Sequence, residues 1–301
     1  MAQLREIKRR IKSIASTKKV TKAMEMVSAA KMRKAVVNVL ASRSYASLSW
    51  DLVQSLASRT ESRYHPLLHR RPEIKNVGLV LITSNRGLCG GFNSQIIQKT
   101  LNYIKQKPGA VKLVTLGKKG RDSMVKRGLN LAADFTKFDI TTTITQIRPL
   151  ARLLIEDFIA GKFDSVVIAY TDFISTLLQK PRILEILPIS SQTPDQDLGQ
   201  AGLPLGQNNA TGKSGELEYL FEPSPDEVLS ELLPRLIEMQ IYQTILESDA
   251  AEHSARMVAM QNASDAAVDM IADLTLSFNK ARQSAITAEL ADISGGLLAM
   301  E

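Results

Sequence analysis

The stretch KAMEMVSAAKM, residues 22–32, decides the fold of the N-terminal region. Its small Ala and Ser side chains alternate with three methionines between lysines, a composition typical of a slender helix. Around it, no proline occurs before Pro66 and no glycine before Gly78. Because Pro and Gly are the residues that interrupt helices, the sequence predicts one helix from about Gln3 to about Ala57.

Basic side chains are concentrated at this end of the chain. Residues 1–34 carry 11 Lys and Arg against two Glu, a local charge of +9, whereas the whole 301-residue chain carries +7. The rest of the sequence therefore sums to −2, and the basic character is local. A helix of this charge favours an acidic protein surface, a nucleic acid or an anionic lipid as its partner.

Apolar or small residues recur at alternating spacings of three and four in both terminal regions. Near the start they are Leu4, Ile7, Ile11 and Ile14. Near the end they are Met260, Ser264, Ala267, Ile271, Leu274, Phe278, Ala281 and Ala285. This spacing is typical of the narrow seam of a two-stranded coiled coil. We therefore expect residues 1–60 and 223–301 to form an antiparallel coiled coil, with Ser224 capping the second helix and Pro225 in its first turn.

The middle region, residues 74–189, alternates between strand and helix patterns. The predicted strands are NVGLVLIT (76–83), VKLVTLG (111–117), DSVVIAYTDF (164–173) and RILEILPI (182–189). The predicted helices are NSQIIQKTLNYIKQ (93–106), KKGRDSMVKRG (118–128) and TQIRPLARLLIEDFIAGKF (145–163). This alternation predicts a Rossmann-like α/β domain with parallel strand pairing, inserted between the two long helices. Residues 190–222 are rich in Gln, Gly, Asn, Pro and Ser, and they are predicted to form a flexible loop.

A glycine-rich turn, TSNRGLCGGFN at residues 83–93, lies between a strand and a helix, where a phosphate-binding loop would occur. It matches neither GxGxxG nor GxxxxGK[ST], and no acidic residue follows at the spacing that binds a ribose. We interpret it as a tight turn with positive φ at glycines, close to another backbone. Cys89 in this turn is expected to be buried and structural. The alternative is that it serves as the nucleophile of a stand-alone α/β enzyme.

Other catalytic or metal-binding patterns are weak in this sequence. His65 and His69 have ligand spacing, but Pro66 between them argues against a regular helix there, and His253 lies far away. One cysteine cannot form a disulfide within the chain or a Cys-based zinc site. We predict no catalytic residue, no cofactor and no metal, so the chain is not expected to catalyse a reaction by itself.

The basic segment KRRIKSIASTKKVTKAM, residues 8–24, leaves three alternatives open. It is a solvated helix, the arm of a nucleic-acid-associated coiled-coil protein, or a basic rod inside an acidic protein collar. Aromatic residues are not interleaved with its lysines, and the lysines lie all round the helix. Nucleic-acid binding is therefore the weaker alternative, and we favour the rod inside a collar.

Four segments resemble the gamma subunits of F-type ATP synthases. They are MAQLREIKRRIKSIASTKKVTKAMEMVSAAKMRKA (1–35), ITSNRGLCGGFN (82–93), EHSARMVAMQNASDAA (252–267) and FNKARQSAITAELADISGG (278–296). The resemblance implies a central rotor shaft that couples c-ring rotation, driven by proton or sodium-ion flow, to the cycling of three catalytic beta subunits. The implied partners are the alpha and beta subunits, the epsilon subunit and the membrane c-ring, with no nucleic acid. The implied location is peripheral, on the cytoplasmic face of a bacterial plasma membrane.

The resemblance also implies contacts with the alpha and beta collar. Met24 corresponds to a position that faces acidic beta loops. Arg256 and Gln283 correspond to positions in the catch between the shaft and beta, where Arg can bond acidic or carbonyl groups and Gln can both donate and accept. Lys18, Lys19 and Lys22 are expected to attract the acidic loops.

Overall fold

The computed structural model describes residues 2–59, 65–107, 109–137, 143–189 and 225–298. Helix α1 spans Ala2–Arg59 and helix α5 spans Pro225–Leu298. Both long helices were predicted. The first and last residues of α1 each lie within two residues of the predicted ones. Helix α5 starts at the predicted proline, while Ser224 and the predicted loop 190–222 lie outside the described residues.

The middle of the chain contains every strand and helix that the sequence predicts. In chain order, the elements of this region are β1 Asn76–Ile82, α2 Phe92–Gln106, β2 Ala110–Leu116, α3 Lys118–Val125, β3 Leu131–Phe135, α4 Ile144–Ile159, β4 Ser165–Phe173 and β5 Gln179–Leu187. A short 3-10 helix, Pro66–Leu68, precedes them. It and β3 were not predicted, because the β3 sequence LAADF is short and lacks a continuous apolar run.

The five strands form one sheet in the order β3-β2-β1-β4-β5. The predicted parallel pairing is confirmed for β1 with β2 and β4, and for β2 with β3. It is wrong for β5, which runs antiparallel to β4. Only residues 174–178 connect these two strands, and a parallel neighbour would need a crossover of about a dozen residues or more.

The chain divides into two compact units. Unit 1 comprises Met1–Ala29 and Arg256–Glu301, and unit 2 comprises Ala30–Ala255. Each long helix therefore contributes one end to each unit.

Unit 1 is a pair of helical segments with narrow inward-facing stripes. In α1 the predicted seam residues are half-buried, namely Leu4, Ile7, Ile11 and Ile14. In α5 the buried members are Met260, Ser264 and Ala267, and the half-buried ones are Ile271, Leu274, Phe278, Ala281 and Ala285. Because the described part of unit 1 contains only these two segments, the stripes bury against each other. The seam predicted from spacing is confirmed.

In unit 2, the sheet is covered by helices on both faces. Alternate β1 residues point to opposite sides, as strand geometry requires. Val80 and Ile82 pack in a cluster with α4 and the first half of α5, whereas Leu79 and Leu81 pack in a cluster with α2 and α3. Burying such an aliphatic side chain contributes about 1.5–3 kcal/mol, so these two layers form the main core of the unit.

A third cluster joins α1 to α5 within unit 2. Ala35 and Val39 of α1 pack with Leu246 and Ala250 of α5 and with residues at one end of the sheet. Nearby, Ser42 Oγ donates a hydrogen bond of 2.7 Å to the side-chain oxygen of Gln243. Lower residue numbers in α1 therefore lie beside higher residue numbers in α5. The two helices are antiparallel here, as predicted.

Asp164 joins the starts of β1 and β4. Its Oδ2 accepts hydrogen bonds from the backbone N–H groups of Lys75 (2.9 Å) and Asn76 (2.8 Å), and its Oδ1 lies 2.6 Å from Arg71. The Asn76 hydrogen bond, opposed by burial but aided by Arg71 and Lys75, lowers the pKa of Asp164 below its ordinary 3.8. The carboxylate is therefore ionised and fixes the register of the neighbouring strands.

Candidate partner interface

The three lysines predicted to meet a partner differ in their surroundings. Lys18 lies on the inward-facing stripe of α1 and is half-buried, whereas Lys19 and Lys22 are exposed. Lys22 Nζ makes an ion pair of 2.8 Å with Glu25 in the next turn. The Lys22 side chain is 57% exposed, whereas that of Glu25 is only 16% exposed, so Lys22 keeps much of its surface available to a partner while Glu25 holds its ammonium group.

The other three predicted contact residues are spread along unit 1. Met24 and Arg256 are half-buried, and Gln283 is exposed. Arg256 and Gln283 lie 27 residues apart in α5, a separation of about 40 Å at 1.5 Å per residue. They therefore belong to two separate places along the helix, and a partner would have to contact each one independently.

Unit 1 also exposes large apolar side chains that the sequence analysis did not identify. Scattered exposed apolar residues are ordinary on a protein surface, but here they recur along a pair of helices with a thin core. The most exposed are Leu276 at 72%, Met26 at 65% and Ile293 at 62%. The others are Val20, Val27, Val268, Met270, Ile286 and Leu290. Their signal in the sequence is that they fall outside the 3-4 register of the seam.

Charge is distributed unequally between the two helical segments of unit 1. The α1 segment carries the lysines and arginines discussed above. The α5 segment carries Asp265, Asp269 and Asp273 at a spacing of four, and all three are exposed. Residues spaced by four share one helix face, so this face is acidic. Unit 1 therefore presents different chemistry on its two helices.

The glycine-rich turn at 83–93 is held together by its own side chains. Asn93 accepts a hydrogen bond from the Ser84 N–H (3.0 Å) and donates to Ser84 Oγ (2.7 Å) and to Cys89 Sγ (3.2 Å). Gly90 has φ +55°, as predicted for a glycine here, and Leu88 also has positive φ. Cys89 is buried. These contacts confirm a structural tight turn.

The close approach of two backbones was predicted for the glycines of this turn, but a Cβ at Gly87 or Gly91 would meet only side chains, and the close approach is found at Gly117 instead. Its φ is +110°, and a Cβ there would lie 2.3 Å from the carbonyl oxygen of Thr83. Only glycine fits this position.

The histidines and the acidic residues were the remaining candidates for a metal site. His65 Nδ1 accepts a hydrogen bond of 3.2 Å from the Leu67 N–H, which caps the 3-10 helix. Among the described residues, no three His, Cys, Asp or Glu side chains come together as metal ligands would. None of the described helices combines the length and apolar character that spanning a membrane requires.

Comparison with known proteins adds the identity of the family. A family model for ATP synthase matches residues 3–300. The ATP synthase gamma chain of Pelotomaculum thermopropionicum is 42% identical over 301 residues, covering 100% of both chains. The chain belongs to the ATP synthase gamma chain family. The gamma chain of Heliobacterium modesticaldum is 43% identical over 301 residues, again with full coverage of both.

The fold of this gamma chain also resembles a solved structure. A chain in the cryo-EM structure of the Euglena gracilis mitochondrial ATP synthase, OSCP/F1/c-ring, in rotational state 3, matches with a TM-score of 0.66. The two are 20% identical, and the match covers 99% of this chain and 95% of that one. The likeness supports the fold: a five-stranded mixed sheet domain with two long terminal helices.

The family resemblance noted in the sequence is therefore confirmed, and the chain is a gamma chain, a peripheral subunit of ATP synthase. The alternatives of a nucleic-acid-associated coiled coil and a stand-alone enzyme are set aside. The six contact residues, Lys18, Lys19, Lys22, Met24, Arg256 and Gln283, stay predictions.

Proposed function

We propose that this chain is the central shaft of a rotary ATP synthase. It couples rotation of a membrane c-ring, driven by proton flow, to the conformational cycling of three catalytic beta subunits, and it catalyses no reaction itself. The observation that carries this proposal is unit 1, a two-helix rod whose apolar residues lie outside its seam as well as inside it. A rod of this kind is suited to work inside a collar of other subunits.

The exposed apolar residues support a surrounding partner. Leu276, Leu290 and Ile293 are each more than 60% exposed. Removing apolar surface from water contributes about 25 cal/mol per Å², and the helix pair alone cannot gain this contribution. A ring of alternating alpha and beta subunits would cover these side chains without directional bonds, which is what a surface that slides past its partner needs.

The uneven charge supports a rotary role more specifically. Lys19 and Lys22 are exposed on α1, and Asp269 is exposed on α5. Three chemically identical beta subunits around unit 1 would each meet a different face of it. An asymmetric rod can therefore hold identical subunits in different conformations, and turning the rod exchanges those conformations.

The six predicted contact residues have defined tasks in this proposal. Lys18, Lys19 and Lys22 attract acidic loops of the collar, with a strength that falls as salt is added. Met24 offers an uncharged and adaptable contact that releases as the shaft turns. Arg256 and Gln283 bond polar groups of beta at two heights along α5.

The other end of the shaft needs partners as well. We assign unit 2, with its sheet domain, to docking on the epsilon subunit and the c-ring. The Euglena gracilis structure is named for F1 and the c-ring, which supports this assignment. We place the chain on the cytoplasmic face of a bacterial plasma membrane, supported by the bacterial origin of the two relatives named above.

Co-purification tests the proposal directly. The chain is expressed alone and together with matching alpha and beta subunits, and gel-filtration fractions are assayed for ATP hydrolysis. We expect it to elute with a hexamer-sized complex that has steady ATPase activity, and to be inactive alone. Elution apart from alpha and beta, or ATPase activity of the isolated chain, would contradict the shaft role.

A further inference from the structure

A buried ion cluster connects the segment after β3 to helix α5 within unit 2. We propose that Lys137 is a positioning residue for energy coupling: with Asp249 and Glu252 it fixes the rotation of α5 against the sheet domain while the shaft carries torque. The inference rests on the proposed shaft function. We call Asn85, Lys137, Asp249 and Glu252 the clamp.

The geometry of the clamp is tight. Lys137 Nζ lies 2.7 Å from Asp249 Oδ1 and 2.6 Å from Glu252 Oε2. The two carboxylates are three residues apart, so they project from the same face of α5. The Lys137 side chain is only 4% exposed, and those of Asp249 and Glu252 are 14% and 9% exposed. One cation is thus held by two acids from adjacent turns of α5, away from solvent.

The electrostatics keep the lysine charged. Burial alone would lower the pKa of Lys137, but the charges and hydrogen bonds of Asp249 and Glu252 outweigh burial and raise it. Hydrogen bonds between ionised partners are roughly twice as strong as neutral ones. Because the surroundings are dry, displacing the lysine would leave buried carboxylates without this cation, which is costly.

The backbone of Lys137 is fastened on its other side. Asn85 Nδ2 donates a hydrogen bond of 2.6 Å to the Lys137 carbonyl oxygen. The Asn85 side-chain oxygen accepts a bond of 3.3 Å from the N–H of Lys118, the first residue of α3. The cluster therefore joins α5 to three connections at one edge of the sheet, those that follow β1, β2 and β3.

Apart from a neutral hydrogen bond of 2.7 Å from Ser254 Oγ to the Thr176 carbonyl oxygen, the buried contacts of the first half of α5 with the sheet domain have a different character. They are made by aliphatic residues, which are Leu229, Leu233, Leu236, Ile237, Ile241 and Ile245. Aliphatic contact is non-directional, so a helix turning about its axis can exchange such contacts gradually. Charge-assisted bonds of 2.6–2.7 Å cannot be stretched in this way without being broken.

The position of the clamp suits the transfer of torque. Torque that enters through the sheet domain must reach the part of α5 that lies in unit 1, which begins at Arg256. Glu252 lies one helical turn before that residue. A second ion pair between the domain and α5, Arg148 with Glu238, has a separation of 3.6 Å and an Arg side chain that is 60% exposed. The Arg148–Glu238 pair is too long and too exposed to water to fix the rotation of α5.

The test uses the complete ATP synthase reconstituted in lipid vesicles. The main variant is the triple substitution Lys137→Met, Asp249→Asn and Glu252→Gln, which removes the two ionic bonds together with all three charges that form them. We measure ATP-driven proton pumping, ATP hydrolysis and ATP synthesis against a large proton gradient. Lys137→Arg is the conservative variant, and Arg148→Met is the matched control at the exposed ion pair.

We expect the triple variant to assemble and hydrolyse ATP, while pumping per ATP hydrolysed falls about threefold to tenfold, an effect typical of side chains that couple two sites. ATP synthesis against the gradient falls with it. Lys137→Arg keeps most of the coupling, and Arg148→Met behaves as wild type. A pumping ratio and synthesis rate equal to wild type in the triple variant would overturn the proposal, as would an equal loss in Arg148→Met.

The outcomes separate this inference from the proposed function. Failure of the wild-type chain to assemble with alpha and beta would refute the shaft role itself. Assembly of the wild type, with unchanged coupling in the triple variant, would refute the clamp alone. If only the single variant Lys137→Met lost stability while the triple variant stayed fully coupled, the cluster would be structural and the proposal would be wrong.

Discussion

The two halves of helix α5 are built differently, although one continuous helix contains both. In unit 2, Ile241, Ile245 and Ala250 are almost completely buried, against the sheet or against α1. In unit 1, only a narrow stripe is buried, and Leu276 is 72% exposed. The first half is stabilised by its own domain, whereas the second half leaves much of its apolar surface for other subunits. We therefore expect substitutions in the first half to affect folding, and those on the outer face of the second half to affect assembly and coupling.

The largest expected effect compares two isoleucines of α5. Ile241→Ala removes a fully buried side chain from the unit 2 core and should lower the free energy of unfolding by about 2–5 kcal/mol. Ile271→Ala changes a half-buried seam position and should cost about 1 kcal/mol. Urea unfolding of the full chain, followed by circular dichroism, measures both. Equal losses would break the comparison.

A smaller effect in unit 2 is expected from Asp164→Asn. The carboxylate accepts two backbone hydrogen bonds and an ion pair, so its loss should cost about 1.5–3 kcal/mol near neutral pH. Because folding lowers the pKa of Asp164, its stabilisation is fully present above the ordinary value of 3.8 and is lost as pH falls through the lowered pKa. Urea titrations between pH 3 and pH 7 should show the two proteins converging at the acidic end. A difference independent of pH would show that the charge is not responsible.

In unit 1, Met24→Lys should leave folding intact and impair coupling. The substitution adds a charge at a half-buried position beside a basic stretch, strengthening a contact with acidic loops that must release at each step. The ratio of proton pumping to ATP hydrolysis in the reconstituted enzyme measures this effect, with Met24→Leu as the uncharged control. Pumping that stays proportional to hydrolysis in Met24→Lys would refute the assignment of Met24.

The smallest effect on the chain itself is expected from Leu290→Ser. This side chain is 61% exposed, so the free energy of unfolding should change by no more than about 0.5 kcal/mol. The complex with alpha and beta should nevertheless dissociate faster, because an apolar contact is lost, and size-exclusion analysis after dilution measures this. Leu177→Ser is the matched control, since Leu177 is an exposed leucine of unit 2. Equal dissociation of both variants would remove the distinction between the two surfaces.

Much of the fold was predictable because the signals are local. The 3-4 spacing from Met260 to Ala285 predicted the buried stripe of α5, since an amphipathic helix repeats every few residues. Pro225 marked the start of that helix because proline suits the first turn. The strands at 76–83 and 164–173 were predicted because each is a short, continuous apolar run between polar turns.

The elements that were missed depend on distant partners. Strand β3 is short and half-polar, and it forms because the edge of β2 accepts it. The direction of β5 is different: it follows from the short connection after β4, and this signal is local, because only eight residues separate the two predicted strands. The exposed apolar residues of unit 1 fall outside the register of the predicted seam, but only the folded unit shows how much of each side chain is exposed.

By itself, the sequence determined two long terminal helices, an α/β region between them and the family to which the chain belongs, because helix periodicity and long motifs are contiguous. Only the tertiary structure decided the order of the strands in the mixed sheet and the clamp. Lys137 and Glu252 lie 115 residues apart in the chain and meet only when the sheet domain packs against α5. Such a pairing depends on the geometry of the whole unit, and therefore no local pattern of residues could reveal it.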